Sequence, residues 1–428
     1  MNVPRTYALK ARYLLPVDSP PIADGLLTVA GHRIEVVAPA SASLLPPGCP
    51  TLDLGNVAIL PGLVNAHTHL EFSDLAEPLG TPGMSLPAWI RLVMQHRSVT
   101  PDDAAVTSAI VQGLRESIAT GTTSLGEIAT RDWPVDPPGA PPIELTVFRE
   151  LISASDDVER ISACLATAKR HLASGNESDS WRPGLSPHAP YSVHPQLWQS
   201  LLEVRSGDPS SPLAIHLAES PEEIEWLQSG AGPFAELLSD LGVAASSHPP
   251  RRPLEFISSL PPTTKALFVH GNYLDAEEIA RLAESSATAS VVYCPRTQSF
   301  FQHQPYPLAA MLSAGVNVAL GTDGRCSNPD LSVLSEMRHV AAKHPEVPLT
   351  DVLAMGTLRG ARALGYDDST GSLTAGKDAN LAVVALPDST DDPHSLLLHA
   401  EGQVQATVYR GKLIHAATDA LAANWATL

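Results

Sequence analysis

Apolar runs and longer amphipathic stretches alternate through the middle of the chain. Each run has the length and composition of a buried strand, and the stretches between them have the length of helices. The predicted strands lie at 63–67, near 122–126 and near 145–149, and five more end near His188, His216, His270, Cys294 and Asp323. Eight strands that alternate with helices predict an α/β protein built on a (β/α)8 TIM barrel.

Both ends of the chain follow a different pattern, in which short strands are separated by turns. Residues 25–37 predict a hairpin that turns at Ala30-Gly31. Residues 381–386 and 405–414 predict further strands near the other end. These segments have the character of a small β-domain, although the pattern alone does not show that the two ends meet.

Composition and charge exclude several classes of partner. The chain of 428 residues carries 46 acidic and 27 basic side chains, a formal net charge of −19. That charge argues against nucleic acid and against an anionic membrane, so a small-molecule substrate is favoured. No apolar run reaches the roughly 18 residues of a membrane-spanning helix. Residues 1–7 lack the pattern of a signal peptide, and the cysteines are scattered, so we expect a cytoplasmic protein with reduced thiols.

The strongest chemical signal is His67-Thr68-His69, which follows the apolar run at 57–60. Residues i and i+2 of a strand point to the same side, so both imidazoles can converge on one metal ion. On its own, such a pair of histidines is more often exposed to solvent or hydrogen-bonded within a protein core. Its meaning therefore depends on partners elsewhere in the chain.

Such partners follow three later apolar runs. The first run offers His216 with Glu219, the second His270 and the third Asp323. Because active groups collect at the C-terminal face of a TIM barrel, we expect these side chains to meet His67 and His69. Imidazole and carboxylate ligands suit Zn²⁺ or Fe²⁺, which predicts a catalytic metal site.

In their order along the chain, these histidines and carboxylates resemble the active-site residues of the amidohydrolase superfamily. More narrowly, they resemble those of its branch of cytosine deaminases, chlorohydrolases and adenosylhomocysteine deaminases. The segments at 61–67 and 371–381 carry the same resemblance near the two ends of the chain. It implies that both ends form one small β-sandwich beside the barrel. The implied domains are an N-terminal part of the sandwich, the hydrolase barrel and a C-terminal part of the sandwich, at 1–56, 57–368 and 369–428.

The resemblance also implies roles for the site residues. One divalent ion is held by His67, His69, His216 and Asp323, and it lowers the pKa of a water from about 15.7 toward 7. Asp323 and Glu219 then handle protons, and His270 donates to the developing oxyanion or orients the water. Dinuclear relatives need a bridging lysine on strand four. None stands in a suitable place here, so one metal ion is expected.

Four residues are candidates for substrate binding. His188 lies in the segment at 186–191, which resembles a substrate-contacting segment of the family, and Glu71 closely follows the first histidine pair. We expect Trp89 either to stack on a flat ring of the substrate as part of a lid or to pack in the core. We expect Arg296 either to bind an anionic substrate or to form a structural ion pair.

The leading functional hypothesis is hydrolytic deamination of an amino-substituted, purine-like ring with release of ammonia. The strings at 67–73 and 86–90, with Arg97, resemble enzymes that deaminate 6-aminodeoxyfutalosine, and adenosine derivatives come next. An alternative is a cyclic amidohydrolase or chlorohydrolase that uses the same site. A non-catalytic barrel scaffold is disfavoured because every metal and proton-handling position is filled. The sequence leaves open whether the chain forms a homo-oligomer.

Overall fold

The computed structural model describes residues 6–42, 45–99, 102–134, 139–176, 178, 180–243 and 249–428. The strands in chain order are β1 Thr6–Leu14, β2 Ile22–Ala30, β3 Arg33–Pro39, β4 Thr51–Asp53, β5 Val57–Pro61, β6 Leu63–Thr68, β7 Thr122–Ala129, β8 Glu144–Leu151, β9 Arg182–Pro187, β10 Leu213–Leu217, β11 Ala266–His270, β12 Ala289–Tyr293, β13 Asn317–Leu320, β14 Leu381–Ala385, β15 Val404–Tyr409 and β16 Lys412–Ala416. The helices are α1 Leu86–Val99, α2 Asp103–Ala119, α3 Val158–Asn176, α4 Pro195–Ser206, α5 Pro221–Ser229, α6 Pro233–Asp240, α7 Pro253–Ser259, α8 Ala276–Glu284, α9 Pro295–Phe300, α10 Leu308–Ala314, α11 Val333–Lys343, α12 Leu349–Met355, α13 Leu358–Leu364, α14 Pro393–Leu398 and α15 Asp419–Ala426. Short 3₁₀ turns lie at Ala40–Ala42 and Leu70–Phe72.

Strands β6 to β13 lie side by side in chain order, and every neighbouring pair is parallel. The first and last strands of this order meet at their carboxyl ends. There the backbone N–H of Asp323 donates to the His67 carbonyl at 3.1 Å, and the Asn65 amide donates to the Thr322 hydroxyl at 2.7 Å. The predicted TIM barrel is confirmed, and its eight strands lie where the apolar runs placed them.

The later barrel strands are mostly apolar because both of their faces are buried. Strands β10 to β13 are buried at every position. Side chains such as Val64, Phe148 and Val269 fill the interior, while Ile215 and Val291 pack outward in the cluster that includes the surrounding helices. Over the described ranges, no helix combines the length and the apolar character needed to cross a bilayer.

The two chain ends form one mixed sheet in the order β16-β15-β14-β5-β1-β2-β3, with β4 beside β1. They meet where β14 pairs antiparallel with β5. The predicted hairpin is present, since β2 pairs antiparallel with β3 up to Ala30 and Arg33. Residues 1–5 lie outside the described part of the chain. The prediction that both ends build a β-domain beside the barrel is confirmed.

Alternation along β5 shows how this sheet is attached to the barrel. Ala58 and Leu60 belong to the apolar cluster shared with the barrel, whereas Val57 and Ile59 face the cluster that includes Trp425 near the C-terminus. Residues 57–61 were assigned to the barrel by the predicted boundary, but they pair with β1 and β14. The chain passes from one sheet to the other at Gly62.

Candidate active site

Three histidines converge at the carboxyl ends of the barrel strands. His67 is the last residue but one of β6, His69 follows that strand and His216 lies near the end of β10. One ligand atom from each histidine lies within 4.8 Å of the others. Asp323, beyond β13, places Oδ1 3.5 Å from His67 Nε2 and 3.6 Å from His69 Nε2. The structure thus brings together the four residues predicted to ligate a metal.

The hydrogen bonds around these imidazoles fit a bound cation. Both ring nitrogens of His67 and Nδ1 of His69 are buried without a hydrogen-bond partner. Unpaired buried polar atoms are costly, and a ligand is the usual explanation. His216 Nδ1 lies 3.1 Å from the His188 carbonyl and donates to it, which leaves Nε2 with its lone pair facing the site.

The electrostatic environment also favours the protonation states in which these side chains bind a metal ion. Burial lowers the pKa of His69 to about 3, and His67 acts in the same direction. Burial, with His188 next, holds the pKa of His216 well below its usual value. Burial alone would raise the pKa of Asp323, but the His67 and His69 imidazoles close to its carboxylate outweigh this and lower it. Neutral imidazoles beside a carboxylate are the forms that bind a divalent ion without proton competition.

Three of the strand ends carry backbone strain. Ala218, His270 and Asp323 have φ values of 54°, 69° and 57°, in the left-handed region that non-glycine residues rarely adopt. Such positions cost about 1–3 kcal/mol each and cluster at functional sites. Here they turn the chain sharply where Glu219, His270 and Asp323 face the cavity.

A buried carboxylate holds Glu219 in place. Glu223 is 0% exposed, and it accepts from the backbone N–H of Ala218 at 3.0 Å and of Glu219 at 2.8 Å. The Asn272 amide donates to the Glu219 carbonyl at 2.8 Å. Sequence reasoning did not assign Glu223 a role, although the Ser220-x-x-Glu223 spacing is a helix-start signal that could have drawn attention to it.

Glu219 itself lies beside His270. Glu219 Oε1 is 3.4 Å from His270 Nε2, and both side chains are almost completely buried. Burial raises the pKa of Glu219 well above its usual value, and Asp323 adds to the effect. Burial lowers the pKa of His270 to about 3. A carboxyl with a raised pKa beside an imidazole is suited to taking up and passing on a proton near neutral pH.

A cavity of about 250 Å³ opens above these residues. His69, His216, Glu219, His270 and Asp323 line its floor. Two of the predicted substrate-binding residues line it as well, namely His188 and Trp89.

His188 and Trp89 are both held in position within the wall. His188 Nδ1 lies 2.6 Å from the Ser192 hydroxyl. The Trp89 indole donates to the Cys326 carbonyl at 3.2 Å and packs edge-on against Phe301. Each ring therefore presents a fixed surface to the cavity.

The other two predicted binding residues lie behind the cavity wall. Glu71 accepts from Arg97 at 2.6 Å, and Arg97 rather than Glu71 lines the cavity. Arg296 pairs with Asp330 and with the fully buried Glu336, each at 2.6 Å. The geometry favours the structural ion pair that the sequence offered as the alternative for Arg296.

Glu150 is a cavity residue that sequence reasoning did not single out. It lies near the end of β8, and its Oε1 is 3.8 Å from His188 Nε2. Burial would raise its pKa, but the charges of His188 and Arg97 outweigh burial and lower it, so the group stays ionised. In the sequence, Glu150 could have been found as an acidic residue near the end of a predicted barrel strand.

Comparison with known proteins defines the class to which this site belongs. The model of the amidohydrolase family matches residues 58–414. The chain therefore belongs to the amidohydrolase family, which confirms the resemblance in the sequence. The family and the histidine cluster together identify a site for a divalent metal ion.

Relatives over most of the chain are deaminases. The chain is 30% identical to a 5-methylthioadenosine/S-adenosylhomocysteine deaminase from Moorella thermoacetica, over 94% of this chain and 92% of that protein. It is 28% identical to an aminodeoxyfutalosine deaminase from a Nitratiruptor species, over 80% and 83%. The fold is similar to that of an adenosine deaminase from Xanthomonas campestris with bound zinc, with a TM-score of 0.77 and 24% identity over 98% and 97% of the two chains.

Proposed function

We propose that the protein is a hydrolytic deaminase of a purine-like ring, with 6-aminodeoxyfutalosine or another adenosine derivative as substrate. The observation that carries the proposal is the floor of the cavity, where the histidine cluster faces a buried carboxyl and imidazole pair. Sequence relatives named as deaminases of adenosine-like substrates support the same reaction. The reaction adds water at the ring carbon, breaks the bond to the exocyclic nitrogen and releases ammonia.

The metal ligands in this proposal are His67, His69, His216 and Asp323. Their unpaired nitrogens, their burial and the short distances to the Asp323 carboxylate fit one divalent ion. When bound, the ion supplies Lewis acidity that brings the ionisation of water close to neutral pH. Nitrogen and oxygen ligands suit both Zn²⁺ and Fe²⁺, and the zinc in the similar deaminase structure favours Zn²⁺.

Proton transfer is assigned to Glu219, with help from His270 and Asp323. Glu219 accepts the proton of the attacking water and delivers it to a ring nitrogen or to the departing amino group. His270, 3.4 Å away, donates to the oxygen that develops negative charge or fixes the direction of attack. Asp323 accepts a second proton, and the Ser327 hydroxyl donates to its Oδ2 at 2.8 Å.

Binding of the ring is assigned to the cavity walls. His188 and Trp89 are proposed to contact the substrate directly because both line the cavity. Glu71 is proposed to act through Arg97, which it holds against the wall. Arg296 is proposed to stabilise the loop after β13 rather than to touch substrate, since its guanidinium is engaged by two carboxylates.

Ammonia release by metal-replete protein tests this function. The panel is 6-aminodeoxyfutalosine, adenosine, S-adenosylhomocysteine, methylthioadenosine, guanine and cytosine. We expect release from at least one adenine nucleoside, and a loss of 100-fold or more in kcat for Glu219→Gln with metal content unchanged. The matched control Glu225→Gln lies on the exposed side of α5 and should behave as wild type.

If none of these compounds releases ammonia although one metal ion is bound per chain, the deaminase proposal is refuted. Cyclic amides and ring chlorides would then be the next substrates to assay, because the same floor can activate water against either. Full turnover by Glu219→Gln would instead refute the assigned proton path while leaving the reaction intact.

A further inference from the structure

The turn that carries His270 is supported from behind the cavity by a buried tyrosine. The Tyr306 hydroxyl donates to the His270 carbonyl at 2.8 Å, and both residues are almost completely buried. Strand β11 pairs with β12 from Ala266 to Val269, so His270 lies one residue beyond that pairing. A side chain therefore supports the His270 backbone where the pairing of these two strands has ended.

The backbone that Tyr306 supports is strained. His270 has a φ of 69°, in the left-handed region. The angle φ is the rotation about the N–Cα bond, so it sets the direction of the imidazole relative to β11. In this conformation His270 Nε2 lies 3.4 Å from Glu219 Oε1. Strain of this kind persists only where the surrounding contacts hold it, and the hydrogen bond from Tyr306 is one such contact.

Tyr306 has little freedom to move. It stands between Pro305 and Pro307, whose rings fix the backbone angle φ on either side of it. The Gln298 side-chain amide donates to the Gln304 carbonyl at 2.7 Å, which ties the same segment to α9. The Tyr306 hydroxyl therefore extends from a rigid support.

The ring of Tyr306 is held as well. It stacks on Tyr293, the last residue of β12, with the ring centroids 3.7 Å apart and an interplanar angle of 9°. The Tyr293 hydroxyl is directed elsewhere and lies 3.3 Å from His344 Nε2. The two tyrosines share one buried stack, and the hydroxyl of Tyr306 is the one that contacts the His270 backbone.

We propose that Tyr306 is a positioning residue for His270. Tyr306 is not among the described residues that line the cavity, so it acts through the backbone of the turn. Its hydroxyl retains the left-handed conformation of His270 and thereby keeps the imidazole beside Glu219. The inference rests on the proposed deamination, in which His270 donates to the developing oxyanion or fixes the direction of attack. Because these interactions form in the transition state, kcat should respond to a misplaced His270 more than KM.

Removal of one hydroxyl at a time tests the proposal. Tyr306→Phe keeps the ring and its stack but deletes the hydrogen bond to His270, so kcat for ammonia release should fall about 10- to 100-fold while KM changes less than about threefold. Tyr293→Phe is the matched control, because it removes a buried hydroxyl from the same stack without touching the His270 backbone. It should retain the wild-type kcat. Thermal unfolding should show similar losses of stability in the two metal-replete variants, and metal content should match wild type.

Two kinetic results would overturn the proposal. An equal loss of kcat in both variants would show that the stack matters only for the fold. No loss of kcat in Tyr306→Phe would show that the hydroxyl does not position His270.

Crystal structures of the two variants give a readout that does not depend on the substrate. In Tyr306→Phe, the distance from His270 Nε2 to Glu219 Oε1 should lengthen from 3.4 Å by about 1 Å or more, whereas Tyr293→Phe should retain it. An unchanged His270 turn in the Tyr306→Phe structure would also overturn the proposal. If the wild-type protein releases no ammonia from any compound of the panel, the proposed deamination fails, and these structures still decide whether Tyr306 positions His270.

Discussion

Replacement of Glu223 by glutamine tests whether a residue that touches no substrate sets the position of Glu219. The Glu223 carboxylate is fully buried and accepts two backbone N–H groups, at 3.0 Å and 2.8 Å, from consecutive residues of the strained turn at Ala218. The amide of glutamine keeps one accepting oxygen but turns an N–H₂ group toward the other donor. At pH 8, above the pKa of about 7 to which burial raises the Glu223 carboxyl, one charge-assisted hydrogen bond is lost, and one buried N–H is left unsatisfied.

The size of the effect follows from these contacts. A hydrogen bond to a charged group contributes about 1.5–3 kcal/mol, and an unsatisfied buried donor costs about 1–3 kcal/mol. Because the two contributions overlap, we expect the free energy of unfolding to fall by about 2–4 kcal/mol. A shift of Glu219 by about 1 Å can cost roughly 100-fold in rate, so kcat should fall by that order while KM changes less than threefold.

Urea denaturation of the metal-replete protein and steady-state ammonia release measure the two effects. Metal content per chain should match wild type, because the substituted side chain is not one of the proposed ligands. Glu225→Gln on the same helix controls for the loss of a carboxylate. A variant with wild-type stability and kcat would refute the reasoning. Lower stability with wild-type kcat would show that Glu223 supports the fold without positioning Glu219.

Three further predictions concern stability and metal binding. Arg296→Met should lower the free energy of unfolding by about 3–5 kcal/mol, because Glu336 is left buried without its partner; a large rise in KM without loss of stability would instead support substrate binding by Arg296. Burial lowers the pKa of His171 from 6.5 to about 4, so the folded state binds fewer protons than the unfolded state between these values. Stability should therefore fall by about 1.4 kcal/mol per pH unit as the pH drops through that window, and His171→Gln should remove this component in urea titrations at pH 7, 6 and 5; an unchanged slope would contradict the assignment. Chelation should abolish ammonia release and lower Tm, one divalent ion per chain should restore both, and Asp323→Asn should reduce metal content measured by elemental analysis; full activity of the metal-free protein would contradict the site.

The barrel and its floor could be predicted because their signals are local. A parallel strand buried on both faces is a mostly apolar run, and β10 to β13 are such runs. The residues at or just beyond a strand end are then fixed by chain order alone. His67, His69, His216 and Asp323 needed no knowledge of tertiary contacts to be grouped, because a closed barrel gathers its strand ends.

The domain boundary could not be predicted because β5 and β6 form one nearly continuous apolar stretch. Only Gly62 separates them, and its N–H donates to the Asn380 carbonyl at 2.8 Å. A Cβ at Gly62 would lie 2.1 Å from the Thr123 hydroxyl oxygen, so the chain can cross between the sheets only with glycine there. This requirement comes from a neighbour some sixty positions away, which an apolar pattern does not reveal.

The cavity walls escaped prediction for a related reason. Glu71 and Arg97 are 26 positions apart in the sequence, and which of them faces the cavity depends on how α1 lies across the barrel. Glu150 and Glu223 are single acidic residues whose importance comes only from their burial and from the groups they face.

The parts of the site that could be predicted and those that could not have different roles in the proposed function. The floor is built on strand ends joined by backbone hydrogen bonds, such as that from Asp323 to His67, and in the proposed function it activates water. The mouth of the cavity is built on α1, on the segment after β8 and on the end of α6, which contribute Met94, Ile152 and Leu241. These elements meet through side-chain contacts, so their apolar character can change without disturbing the floor. The strand ends should therefore determine the class of reaction, and the mouth of the cavity should determine the choice of substrate. Changes in Ile152 or Leu241 should alter the choice of substrate without altering the reaction.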